Sequence, residues 1–421
     1  MQPFSFPLPP LSGAPAPLEA LVQGEEVRHE RGTFFRRRLE IDVDDRYGDC
    51  RMGDFLAIRP DAAAALARVP DLRDVPLESC LFLDTETTGL AGGTGTYAFL
   101  VGLGYFQTID GDTRFVVEQC MMRSYGEERA MLSWLHEHLQ RFAALITFNG
   151  RTFDVPLLQT RFLMSRMRID FEEWLQFDLL HASRRLWRLA LTSCTLQHLE
   201  RHVLGVGREA DVESFLIPAI FYKYLKDGDG RYLQLVFNHN RADVLAMVGI
   251  ATRACAMLDS GLGSRPEADG LRLSAPEQLG LARVFEQMDS LDAAERAYRA
   301  ALAGSLPVDL RCRALMGLAA LLKRRRRADE AAEHWQAVVD ESPLYSVPAL
   351  IELSKYWEHQ RRDPARAFDL ARRARDRWLG GMPGAERPLP GIRWPAESRP
   401  APDDFTRRLE RLERKRTLAA T

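Results

Sequence analysis

GTFFRRRLEIDV, residues 32–43, alternates apolar with polar positions at a period close to two, which predicts a strand inside a small strand-rich lead-in from Glu25 to about Ile58. A short helix is expected over 61–67, completing a lead-in region of 25–77. Apolar runs at 81–84, 98–106 and 114–122 predict three more strands, followed by a helix over 127–142 and a strand at 145–148. Another helix is expected to begin between Asp154 and Pro156, with Leu157, Leu158 and Phe162 on its apolar side, and mostly helices continue to Leu258. Early strands followed by alternating helix and strand predict an α/β domain over 78–258, a mixed sheet with flanking helices.

Past residue 258 the pattern changes. DSGLGSRPEAD, 259–269, reads as a linker, and beyond it the chain is rich in Ala, Leu and Arg at helical spacing. Residues 279–302 recur as 316–339 and more loosely as 351–374, each reading helix, tight turn, helix. Landmark offsets of 37 (Gly280 to Gly317) and 34 (Asp329 to Asp363) bracket the tetratricopeptide period, so an all-α helical repeat domain is expected over 270–379. Stacked helix pairs make concave binding surfaces, which suits a protein partner. The ends, 1–24 and 380–421, are Pro-rich and read as tails. The second closes on a charged helix carrying Phe405, Leu409 and Leu412 on one stripe, which has either the body or a partner to dock on.

At 421 residues the chain exceeds a usual single core, and its 46% hydrophobic content excludes a disordered protein. Membrane-spanning and secretory segments are not expected, since no apolar run has the length and the N-terminus lacks a basic leader. Six scattered cysteines without a C-x-x-C pair read as reduced thiols, which points to the cytoplasm. The formal net charge of −2 argues against tight nonspecific nucleic-acid binding. Local basic runs at Arg184, Arg185 and Arg188, and at 323–327, read mainly as solvated faces.

Candidate chemistry begins in LFLDTETTGL, residues 81–90. Asp84 and Glu86 are two apart in a strand, so both carboxylates project to one side and repel unless a cation neutralises them. Carboxylate oxygens are what hard divalent ions such as Mg²⁺ or Mn²⁺ take. Asp154 follows a turn at Asn149 and Gly150, and His239 with Asp243 share one helical face at i and i+4. Asp178 and His181, three apart in FDLLH, offer either a further contact or a structural link, and the surrounding Phe177, Leu179 and Leu180 favour the structural one.

This ordered set, DTETTGL, FNGRTFD and HNRAD, resembles the DnaQ-like, or DEDD, 3′–5′ exonuclease superfamily of the ribonuclease H-like fold. GTGTYAFLVGLGYF, FDLLHASRRLW and CTLQHLE narrow the resemblance to the YprB-type branch, over roughly 81–255. It implies a two-metal phosphodiester hydrolase acting on single-stranded DNA or RNA. Asp84 would bridge two ions, Glu86 and Asp243 would complete the site bearing the nucleophile, and Asp154 would act on the other ion through water. His239 would orient or deprotonate that water. Thr87, Gly89, Leu90, Asn149 and Phe153 would meet the terminal nucleotide, although Phe153 at the foot of an apolar helix also reads as core. The third motif departs from the family pattern: His239 stands at the spacing of the tyrosine branch, and Asn238 occupies the position of the histidine branch. A catalytically silent binding or scaffold protein is the alternative, with a nucleotidyltransferase or phosphatase a third.

Overall fold

The structure, a computed structural model, describes residues 13–89, 95–208, 211–262, 272–379 and 402–420. It divides into two compact units, Met1–Leu271 and Arg272–Thr421.

The first unit opens with one helical turn, α1 (Leu18–Leu21), then β1 (Glu25–His29), β2 (Gly32–Asp42), the short β3 (Arg46–Tyr47) and β4 (Cys50–Arg51), and α2 (Pro60–Ala67). The next segment adds β5 (Cys80–Thr87), β6 (Ala98–Ile109), β7 (Asp112–Met121), α3 (Glu128–Leu139), β8 (Ala144–Thr147), α4 (Asp154–Met164) and β9 (Leu175–Asp178). It ends in α5 (Leu179–Trp187), α6 (Leu196–Val203), α7 (Ile217–Asp227) and the 32-residue α8 (Arg231–Leu262). Seven strands form one sheet in the order β1-β2-β7-β6-β5-β8-β9. Pairing is antiparallel from β1 to β5 and parallel from β5 through β8 to β9, so the sheet is mixed as the sequence predicts.

Local chemistry explains several elements. Asp110 and Gly111, both at positive φ, make the two-residue turn joining β6 to β7, the backbone sense that matches strand twist. Asp178 accepts from the N–H of Leu180 at 3.0 Å and caps α5. Gly228, in the left-handed conformation, stops α7.

Four sequence readings are corrected. The lead-in is part of the main sheet, because β2 pairs with β7 along eight residues. The N-terminal tail is docked where it is described: Leu18 and Val22 are buried, and the Ala16 carbonyl accepts from the N–H of Gly230. Residues 1–12 and 380–401 of the two tails lie outside the described residues. Strand β9 falls in the stretch where mostly helices were expected, since four residues are too few for a period to show. Finally, α8 runs on to Leu262, into the stretch read as a linker, whose remainder lies outside the described residues. This helix is also long and apolar enough to span a membrane by length and composition, contrary to the reading of apolar runs, yet 78% of its apolar window is buried inside the protein as in a core helix.

The second unit contains α9 (Ala275–Gln287) to α10 (Leu291–Ala303), α11 (Val308–Arg324) to α12 (Ala328–Glu341), and α13 (Ser346–His359) to α14 (Pro364–Leu379), each helix packing on the next. The last helix, α15 (Pro402–Ala420), buries Phe405, Leu409 and Leu412, the last two against Ala367 and Ala371 of α14, so the stripe docks on its own unit.

Candidate active site

Strand β5 is central, with β6 antiparallel on one side and β8 parallel on the other. The carboxyl ends of two parallel strands therefore lie side by side, the usual place for a ligand in a sheet of this kind. Asp84 and Glu86 sit at that end of β5, just before a register shift between Glu86 and Thr87. The turn after β8 brings Asp154 to the same place at the first residue of α4, where Thr85 Oγ1 donates to its Oδ1 at 2.5 Å.

The third contribution comes from α8, which lies across the face carrying Asp84 and Glu86. Asn240 Nδ2 donates to Asp84 Oδ2 at 2.8 Å, and Gln119 Nε2 donates to Asn240 Oδ1 at 2.9 Å and to the Phe237 carbonyl at 2.7 Å. His239 and Asp243, one turn apart, contact each other through Nε2 and Oδ2 at 3.4 Å. One ligand atom from each of Glu86, His239 and Asp243 lies within 4.8 Å of the others, a spacing that a single cation can span.

The carboxylates act on one another. Burial, then the charges of Asp243 and Asp154, holds the Asp84 carboxyl well above its ordinary range. Glu86 is raised by burial first and then by Asp84, Asp243, Asp154 and Asp211. Burial pushes Asp154 up to about 6, with the Thr85 hydrogen bond pulling the other way.

Two residues absent from the sequence reading complete the surroundings. His239 Nδ1 lies 2.8 Å from Asp211 Oδ1, so that nitrogen carries the proton and Nε2 is turned towards Asp243. Burial opposes the imidazolium, but the Asp211 hydrogen bond and the Asp243 charge outweigh it and raise the His239 pKa. Arg208 donates to Asp243 Oδ1 at 2.5 Å, Glu200 Oε2 at 2.6 Å and Asp211 Oδ2 at 3.2 Å. Glu200 is held in turn by the hydroxyl of Tyr47, so the lead-in reaches the site. A cavity of ≈ 220 Å³ opens beside this group, lined by residues including Glu200, Arg208 and Asp211.

Residues 81–255 match the RNase_H superfamily. This segment has a ribonuclease H-like fold. The chain is also similar to the uncharacterized protein YprB of Bacillus subtilis (strain 168), 29% identical over 293 residues that cover 69% of this chain and 67% of that protein.

Within the ribonuclease H-like domain, the other expected site residues have varied fates. Thr87 Oγ1 donates to the Gly89 carbonyl at 2.8 Å and closes the turn after β5, whereas Leu90 lies outside the described residues. Asn149 takes positive φ, and its N–H donates to Asp178 Oδ1 at 2.9 Å. Asp178 thus braces the turn leading to Asp154, the structural role favoured for it, while His181 is exposed. Phe153 is 55% exposed, which overturns its reading as core and leaves its ring free beside Asp154. Asn238 is exposed and takes no part in these contacts. No linear signal joined Asp211 or Arg208 to His239, because both sit in an irregular polar stretch some 28 residues upstream of it in the case of Asp211.

Proposed function

We propose that this domain is a metal-dependent nuclease of the 3′–5′ exonuclease type, acting on single-stranded DNA or RNA. The observation that carries the reading is the mutual influence of Asp84, Glu86, Asp154 and Asp243, delivered by three separate elements to one point. Oxygen donors crowded at that density fit Mg²⁺ or Mn²⁺, and Arg208, paired with Asp243, offsets only part of their charge. When bound, two such ions supply Lewis-acid polarisation of the phosphodiester and acidify an attacking water.

The chain's own residues do the rest. Asp84, Glu86, Asp154 and Asp243 would hold the ions, Asp84 shared between them, Glu86 and Asp243 at one and Asp154 at the other. His239, its Nδ1 proton fixed on Asp211, presents Nε2 to accept a proton. The exposed ring of Phe153 offers a stacking surface to a terminal base, with Thr87, Gly89 and Asn149 forming the adjoining backbone turns. The helix pairs of the second unit serve as a tetratricopeptide-like surface for a protein partner. The six free thiols agree with a cytoplasmic setting.

The test uses full-length protein, 3′- and 5′-labelled single strands of DNA and RNA, and added Mn²⁺ or Mg²⁺. Asp84→Asn, Glu86→Gln, Asp154→Asn and Asp243→Asn are each expected to abolish stepwise loss from the 3′ end. His239→Ala should slow it by roughly 10²–10⁴-fold, the size of a proton-transfer contribution. Metal-independent cleavage, or an acid variant with unchanged rate, would overturn the proposal.

A further inference from the structure

Directly opposite one another on four neighbouring strands stand Arg37 (β2), Gln119 (β7), Gly102 (β6) and Asp84 (β5). Asn240 of α8 sits on Gly102 and joins Gln119 to Asp84 through its amide. The row therefore starts at the acidic cluster and ends at Arg37, three strand spacings or about 14 Å away.

Arg37 differs from both of its neighbours in sequence. Arg36 and Arg38 project to the other face and pair with Glu25, Glu40 and Glu118. Arg37 stands opposite Gln119, which bonds Phe237 and Asn240 of α8, so it lies on the face that α8 covers, within electrostatic reach of Arg241, the residue after Asn240. The influences on Arg37 are burial and then the like charge of Arg241, and both lower its affinity for a proton. Among the described residues, no acid adds to them. The Nε atoms of both arginines are buried and have no hydrogen-bond partner, and so is the Oε1 of Gln119 beside them.

Such an arrangement is costly as it stands. A buried donor without a partner bears the full cost of its lost hydration, and two like-charged guanidinium groups within electrostatic reach repel. The two side chains are only partly buried, which leaves a way in from solvent. A tetrahedral oxyanion would remove both penalties: its several oxygens can accept from two guanidinium forks at once, and its charge offsets theirs.

We propose that Arg37 and Arg241 form a phosphate-binding site on the far side of α8 from His239 and Asp243. The occupant is a phosphate group, either free inorganic phosphate or one in the backbone of a nucleic acid. The site is independent of the nuclease chemistry, because neither arginine touches the acidic cluster.

The test uses full-length protein in chloride buffer with EDTA, so that no metal at the acidic cluster recruits phosphate. Millimolar inorganic phosphate should raise the melting temperature of the wild type by about 2–4 °C, the shift that roughly 1 kcal/mol of ligand stabilisation gives a domain of this size. Arg37→Met and Arg241→Met should each melt no lower than wild type without phosphate, since each relieves the repulsion, and should lose the phosphate response. Arg37→Lys, which keeps the charge but lacks the fork, should retain a reduced response. In parallel, binding of a labelled single strand is followed against salt. If backbone phosphate is the natural occupant, each Met variant lowers the slope by about 0.7, one contact's share. A phosphate response with an unchanged slope assigns the site to the free ion. Wild-type protein indifferent to both probes, or Met variants responding to phosphate as wild type does, would overturn the site.

Discussion

Asp84, Glu86 and Asp154 are held where each is worse off as an anion than it would be in water, and that has a measurable consequence at the level of single residues. Their folded-state pKa values lie above the unfolded ones, so the folded chain binds protons more tightly. Their contribution to stability is fully present below the unfolded value and is lost as pH rises through the folded one, for Asp154 between 3.8 and about 6. In EDTA, wild-type protein is therefore expected to lose stability across that window relative to Asp154→Asn, and to be the less stable of the two at pH 7. Saturating Mn²⁺ should reverse the order. Melting curves against pH for the two proteins check this, and parallel profiles would remove the electrostatic account of the cluster. At this scale spacing put Asp84 with Glu86 and His239 with Asp243, and the family resemblance alone added Asp154 to them. Asp211 was not, because its pairing with His239 joins a loop to a helix.

At the level of elements, the approach of α8 to the sheet decides the site. A Cβ on Gly102 would stand 2.2 Å from Asn240 Oδ1, and one on Gly104 would stand 2.5 Å from Val244 Cγ1. Asn240 cannot swing aside, since it is fully buried and tied to both Gln119 and Asp84. Gly102→Ala should therefore cost about 1–3 kcal/mol, the usual size of overpacking, and weaken the Asp84 contact with it. Melting temperature and Mn²⁺-dependent rate should fall together, and a variant unchanged in both would show that α8 is not held this closely. The sequence reading took in the shared face of His239 and Asp243 but not the role of Asn240 or the glycines beneath it. A helix buried on almost every side carries no polar stripe to show which residue meets which strand.

At the level of the whole molecule, two compact units divide the chain near residue 271. The basic run at 323–327 belongs to the second, and four of its five charges are taken up within that unit: Lys323 by Glu352, Arg324 by Asp289, Arg325 by Asp292 and Glu295, Arg327 by Glu295 and Glu330, leaving the exposed Arg326. This gives no support to a nucleic-acid contact there, so hydrolysis is expected to reside in the first unit. A protein ending at Leu262 should fold and retain Mn²⁺-dependent cleavage of short oligonucleotides. A folded but inactive truncation would make the second unit part of the catalytic apparatus. From sequence alone came the α/β order, the helical second half and the acids of three motifs, because strand and helix periods and local motif spacing are properties of neighbouring residues. Only tertiary structure joined β2 to β7, exposed Phe153, placed Arg208 and Asp211 against Asp243 and His239, and brought Arg37 within electrostatic reach of Arg241. Those pairings depend on which surfaces meet when distant segments bury their apolar faces together, and no local pattern records that.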